Sequence, residues 1–130
     1  MKKVLLGLAV LAALGLQAND EIKTNMAEMQ NGLKSIQDGF SYNNKDGILE
    51  GIAKIEKANK MFFDETSAGK FLPAGKKRLA KVSYLSTRTL NSSLKEMKQY
   101  VEAGSIIDAS DSMAGVMRSC TRCHAIVRGW

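Results

Sequence analysis

The spacing of apolar residues constrains this chain more than any other feature. From Asp20 onward, Ile22, Met26, Met29, Leu33, Ile36 and Phe40 recur at intervals of 4, 3, 4, 3 and 4. That rhythm places them on one side of a helix and excludes a strand, whose period is two. Asn19 or Asp20 is positioned to cap its start. The turn formers of "FSYNNKDG" interrupt the pattern. A second stripe follows through Ile48, Ile52, Ile55, Asn59 and Phe62, with Asn44 or Asp46 as its cap, and ends near "DETSAGKFLPAG". Pro73 suits the first turn of a third helix, in which Leu79, Val82, Leu85, Leu90, Leu94, Met97 and Val101 lead to a stop at Gly104. A fourth helix aligns Ile106, Ser110, Met113, Met117, Cys120, His124 and Val127. Four amphipathic helices with short links predict an all-α, antiparallel up-down-up-down four-helix bundle.

The first eighteen residues do not fit that scheme. "MKKVLLGLAVLAALGLQA" has a basic start, an apolar run from Val4 to Leu16 and a small residue, Ala18, at a cleavable position, which is the pattern of a secretory signal peptide. The run is shorter than the roughly 20 residues of a bilayer span. Residues 1–18 are therefore expected to direct export to the periplasm, with no stable membrane anchor after cleavage. Residues 19–130 are expected to form one domain, long enough for a single core and too short for two. That mature part carries 17 basic and 13 acidic residues. The balance is only mildly basic, and no dense basic patch interleaves with aromatics, so nucleic acid is not an expected partner. The cluster Lys70, Lys76, Lys77, Arg78 and Lys81 has two readings, a patch that steers an acidic partner and a merely solvated face, and the second is favoured.

Both cysteines and the only histidine fall within five positions, Cys120, Cys123 and His124. On a helix, positions i, i+3 and i+4 share a side, so the thiols and the imidazole are expected to meet at one spot. Cys-x-x-Cys-His is the attachment signature of c-type haem: the cysteines form thioethers and the histidine ligates the iron. Two other chemistries use similar residues. A thioredoxin-like dithiol needs a strand beside its Cys-x-x-Cys, and the chain offers only helices. A structural zinc site needs four ligands, and no further Cys or His completes the set.

The sixth iron position is open to two methionines. In an antiparallel bundle the end of the fourth helix lies level with the start of the first. His124 is six residues from the C-terminus, about 9 Å of helical rise, and the matching depth in the first helix falls between Met26 and Met29. Both belong to the inward stripe.

A haem motif at the C-terminal end of a four-helix chain resembles the class II cytochromes c, the family of cytochrome c-prime and its low-spin relatives. The resemblance is specific over "SCTRCHAIVR" and weaker over "EIKTNMAEM". It implies one covalently attached haem c, with thioethers at Cys120 and Cys123 and His124 as proximal ligand. It places Arg128 at the basic position four residues after the histidine, beside the haem; the same residue also reads as a cation at a helix C-terminus. Met29 falls where the low-spin relatives carry a distal methionine ligand. Thr24 and Asn25 stand where relatives often have a Tyr-Arg pair, and Val127 where they often have an aromatic residue.

With Met29 on the iron, the implied function is a soluble periplasmic electron carrier that exchanges electrons with redox partner proteins. With the site open, it is a five-coordinate, cytochrome c-prime-like protein that binds nitric oxide or carbon monoxide. Catalysis is not expected, because there is no second histidine and no evident distal acid or base. The family often dimerises through its first two helices, so a homodimer is a further option, although the stripes leave no separate apolar surface from which to read it.

Overall fold

The computed structural model describes the backbone of residues 2–72 and 74–128, and side chains from Asp20 onward except Glu65. The expected signal peptide lies outside the described side chains, as does Pro73. Among the described residues there is no strand, and the chain is all-α. Its helices are α1 (Lys2–Ser41), α2 (Lys45–Asn59), α3 (Glu65–Phe71), α4 (Ala80–Ala103), α5 (Ile106–Asp111) and α6 (Met113–Arg128), with 3-10 turns at Lys60–Phe62 and Ala74–Leu79. No helix is long and apolar enough among the described residues to cross a membrane.

The second stripe is buried as expected, from Ile48, Ile52 and Ile55 to Asn59 and Phe62. Asn44 caps α2, its side chain accepting from the Gly47 amide at 3.0 Å. Gly104 ends α4 in the left-handed conformation, φ 80°, and its amide reaches back to the Tyr100 and Val101 carbonyls. A residue with a Cβ adopts that conformation at a cost, so glycine is the natural stop.

Packing is pairwise: α1 on α2, α2 on α4, and α4 on α6. The α1–α2 crossing is closest where glycines meet. A Cβ on Gly51 would sit 2.5 Å from the Gly32 carbonyl oxygen, and one on Gly32 would sit 2.7 Å from the Gly51 carbonyl oxygen. Further along, Gly39 lies against Ile48, so the two helices run antiparallel. Gly51→Ala must push the backbones apart, an overpacking cost of about 1–3 kcal/mol that exceeds the helix-propensity gain of roughly 1 kcal/mol. Thermal denaturation should show a lower midpoint for Gly51→Ala. Gly69→Ala in α3, where a Cβ would meet only Ala80 at 3.6 Å, should leave it unchanged or raise it.

Several sequence expectations need correction. Asp20 lies inside α1 and pairs with Lys23 at 3.7 Å instead of capping a helix. The stretch read as a link contains α3, capped by Asp64, whose carboxylate accepts from the Ser67 amide at 2.9 Å. Ala68 and Leu72 are buried there, and Phe71 packs edge-on against Phe62 with ring centroids 5.6 Å apart. Leu85 is not in the core but 46% exposed, because the first half of α4 buries Ser83, Ser86 and Thr87 instead. The expected fourth helix divides at Ser112 into α5 and α6, and its buried positions are Ala109, Ser112, Val116 and Ser119, one residue earlier than the apolar stripe. Ser110 is exposed and Met117 is 42% exposed. Small residues cause this shift, since Gly115 and Ser119 let α6 approach α4 and Gly115 faces Ser93.

Candidate functional site

Cys120, Cys123, His124 and Arg128 all lie on α6, which runs antiparallel to α4, with Gly115 beside Ser93 and Cys123 beside Ser83. The Cys123 sulfur and the Ser83 hydroxyl are 3.6 Å apart. Both cysteines are free thiols and, like His124, half-buried, while Arg128 is exposed.

These residues line a cavity of about 590 Å³ between α1, the end of α2, α4 and α6. Met26 and Met29, both half-buried, line it from α1. Leu33, Ile55, Phe62 and Leu90 supply its apolar floor. Ala27 and Gln30 of α1 and Met117 and Thr121 of α6 border it and are exposed. A smaller cavity of about 170 Å³ adjoins it and shares Met26, Phe62, Cys123, His124 and Arg128; Val127 borders this second space. All five sequence-predicted site residues, Cys120, Cys123, His124, Arg128 and Met29, and the alternative Met26 therefore border one space. Thr24 and Asn25 do not line it; their side chains bond to the α1 carbonyls of Asp20 and Glu21.

The thiols and the imidazole line a common cavity, but among the described residues no three His, Cys, Asp or Glu side chains form a group that could hold one metal ion. The three lie within five positions of α6 and border the same space. That arrangement suits a broad occupant held at several atoms.

The protonation states agree. Burial, followed by the neighbouring Cys123, pushes the Cys120 thiol up from its ordinary value. A reactive dithiol needs the opposite shift, because the thiolate is the nucleophile. Burial, followed by the Arg128 cation, holds His124 below its ordinary value and favours the neutral imidazole that binds metals.

The α4 wall holds a polar group that the sequence did not mark as part of the site. Ser86 donates to the Val82 carbonyl at 2.9 Å, and the Thr87 hydroxyl lies within reach of the Tyr84 and Phe62 carbonyls at 2.7 and 3.1 Å. Asn59 is fully buried; its Nδ2 donates to the Thr87 carbonyl at 3.1 Å, and its Oδ1 has no partner among the described residues. A buried acceptor without a donor costs about 1–3 kcal/mol. A cavity occupant or ordered water bearing an N–H or O–H would satisfy it. The available signal was a lone Asn on the otherwise apolar stripe of α2.

Comparison of the chain with protein-family models, with curated proteins and with solved structures gives no match. The site is therefore interpreted on its own residues.

Proposed function

We propose that this chain is an exported monohaem c-type cytochrome of the periplasm, a soluble electron carrier whose haem is held by Cys120 and Cys123 and ligated by His124 and Met29. One observation carries the reading: a single cavity of about 590 Å³ borders the Cys-x-x-Cys-His residues of α6 and the methionines of α1. Its size falls within the roughly 300–1,000 Å³ of small-molecule and cofactor sites. The donor set fits haem c, with two thiols for attachment, an imidazole kept neutral, two thioethers on the facing helix and an apolar floor.

When bound, haem supplies a one-electron iron couple, and a thioether ligand raises its potential. The protein's residues do the remaining work. Leu33, Ile55, Phe62 and Leu90 exclude water from the cavity floor. Arg128 sets a cation next to His124 and disfavours its protonation. The antiparallel registers of α1 with α2 and of α4 with α6 support the up-down-up-down four-helix arrangement of class II cytochromes c, with α3 as an addition between α2 and α4. Export rests on the signal pattern of residues 1–18.

Absorption spectra of the purified protein in both redox states test this proposal. The expected result is a c-type spectrum, low spin in the oxidised and the reduced form. A high-spin, five-coordinate reduced form would overturn the electron-carrier reading in favour of a gas-binding protein.

A further inference from the structure

The thirteen acidic residues of the chain are placed unevenly. None lies in residues 66–95, which cover nearly all of α3, the following 3-10 turn and two thirds of α4. None lies in residues 112–130, which include α6. These two stretches hold ten Lys and Arg, and they are neighbours in space, since α4 packs on both α3 and α6.

The cations point outward. Lys81, Arg88 and Lys95 recur every seven residues on α4 and are exposed, on the side away from the buried Ser83, Leu90 and Leu94. Arg118 and Arg122, one turn apart on α6, are exposed as well. The opposite side of the molecule differs. On α1 and α2 the signs are mixed, and the ion pairs Lys23–Asp20, Lys34–Asp38 and Lys54–Glu50 close within those helices. No ion pair among the described residues includes any of the ten cations of the α3–α4–α6 side.

A merely solvated face interleaves its signs, because like charges repel. Among the described residues, only Lys70 of these ten cations acts on an acidic neighbour, Asp64; together they create a field of mainly one sign, which attracts and orients an acidic surface. The same side also exposes Leu85 and, on the α6 lip of the cavity, Met117. Apolar side chains among charged ones are the usual composition of a protein docking surface. Two apolar residues on different helices do not make the continuous stripe with which a helix enters a membrane surface.

We infer that the side formed by α3, α4 and α6 docks a protein with an acidic surface. Docking itself stands on the charge distribution; that the partner is a redox protein rests on the electron-carrier reading. Docked there, it lies beside the α6 lip of the cavity that borders Cys120 and His124.

The test uses the matured, full-length protein labelled for NMR, with poly-L-glutamate as the acidic probe and phosphatidylglycerol vesicles as the competing surface. Amide shifts on adding poly-L-glutamate should be confined to α3, α4 and α6 and should vanish at high salt, where the Debye length shrinks to about 3 Å. The triple variant Lys81→Glu, Arg88→Glu and Arg122→Glu should weaken binding about tenfold or more. A charge-matched control, Lys45→Glu, Lys57→Glu and Lys60→Glu, should change it less than about twofold. Equal losses in the two variants, shifts centred on α1 and α2, or tighter binding to the vesicles than to the peptide would overturn the proposal. The absorption spectrum of the same sample separates the two readings: a coloured protein without localised binding refutes docking alone, and a colourless one that docks refutes the cytochrome alone.

Discussion

On the proposed His124–Met29 ligation, Met29→Leu should turn a low-spin electron carrier into a high-spin haem protein that binds carbon monoxide rapidly. Met29 lines the cavity from α1 and packs against the core cluster that includes Ile36 and Ile55. Leucine roughly conserves its volume, so the packing cost should stay under about 1.5 kcal/mol and the fold should survive. The thioether would be gone. On the proposed ligation its loss opens the sixth position and lowers the reduction potential. Met26→Leu is the control, since Met26 is half-buried in the same wall and borders the adjoining small cavity as well. Stopped-flow mixing of each reduced variant with carbon monoxide reads the difference. A wild type that binds the gas rapidly, with no change in either variant, would make Met29 a core residue only.

Removing the proposed haem attachments should loosen the tertiary packing and lower the thermal midpoint. Cys120→Ala with Cys123→Ala leaves a 590 Å³ space between α1 and α6 with only side chains around it. Buried voids far smaller cost several kcal/mol in well-packed proteins, and a domain of this size has about 5–15 kcal/mol in total. The thermal midpoint of the double variant should fall by more than about 10 °C, the shift that a loss of roughly 2–3 kcal/mol produces. Near-ultraviolet circular dichroism should weaken while the helical signal persists, as in a molten state. Equal midpoints for the variant and the matured wild type would count against a haem within the helices.

The parts of the structure that could be anticipated are those governed by large apolar residues. Ile48, Ile52, Ile55 and Phe62 mark α2 because nothing else satisfies their 4-and-3 spacing, and the same holds for Leu90, Leu94, Met97 and Val101 in the second half of α4. Small residues carry no such signal. Ser83, Ser86 and Thr87 are buried where Leu85 was expected, and Gly115 and Ser119 set the α6 register where Met117 was expected. Hydroxyls that bond to their own helix, as Ser86 does to Val82, can be buried without a partner elsewhere, so polarity alone misplaces them. The helix α3 is too short for periodicity to detect, and Asp64, which caps it, stands in a stretch that reads as a link. At the site, the residue types and their common wall were readable from Cys120, Cys123 and His124.

Covalent attachment of haem at Cys120 and Cys123 is tested most directly by acid-acetone extraction of the protein made in a host competent in cytochrome c maturation. The colour should stay with the polypeptide, and an intact mass should show one haem added and no free thiol. A stably folded, colourless protein with both thiols free to alkylate would contradict it.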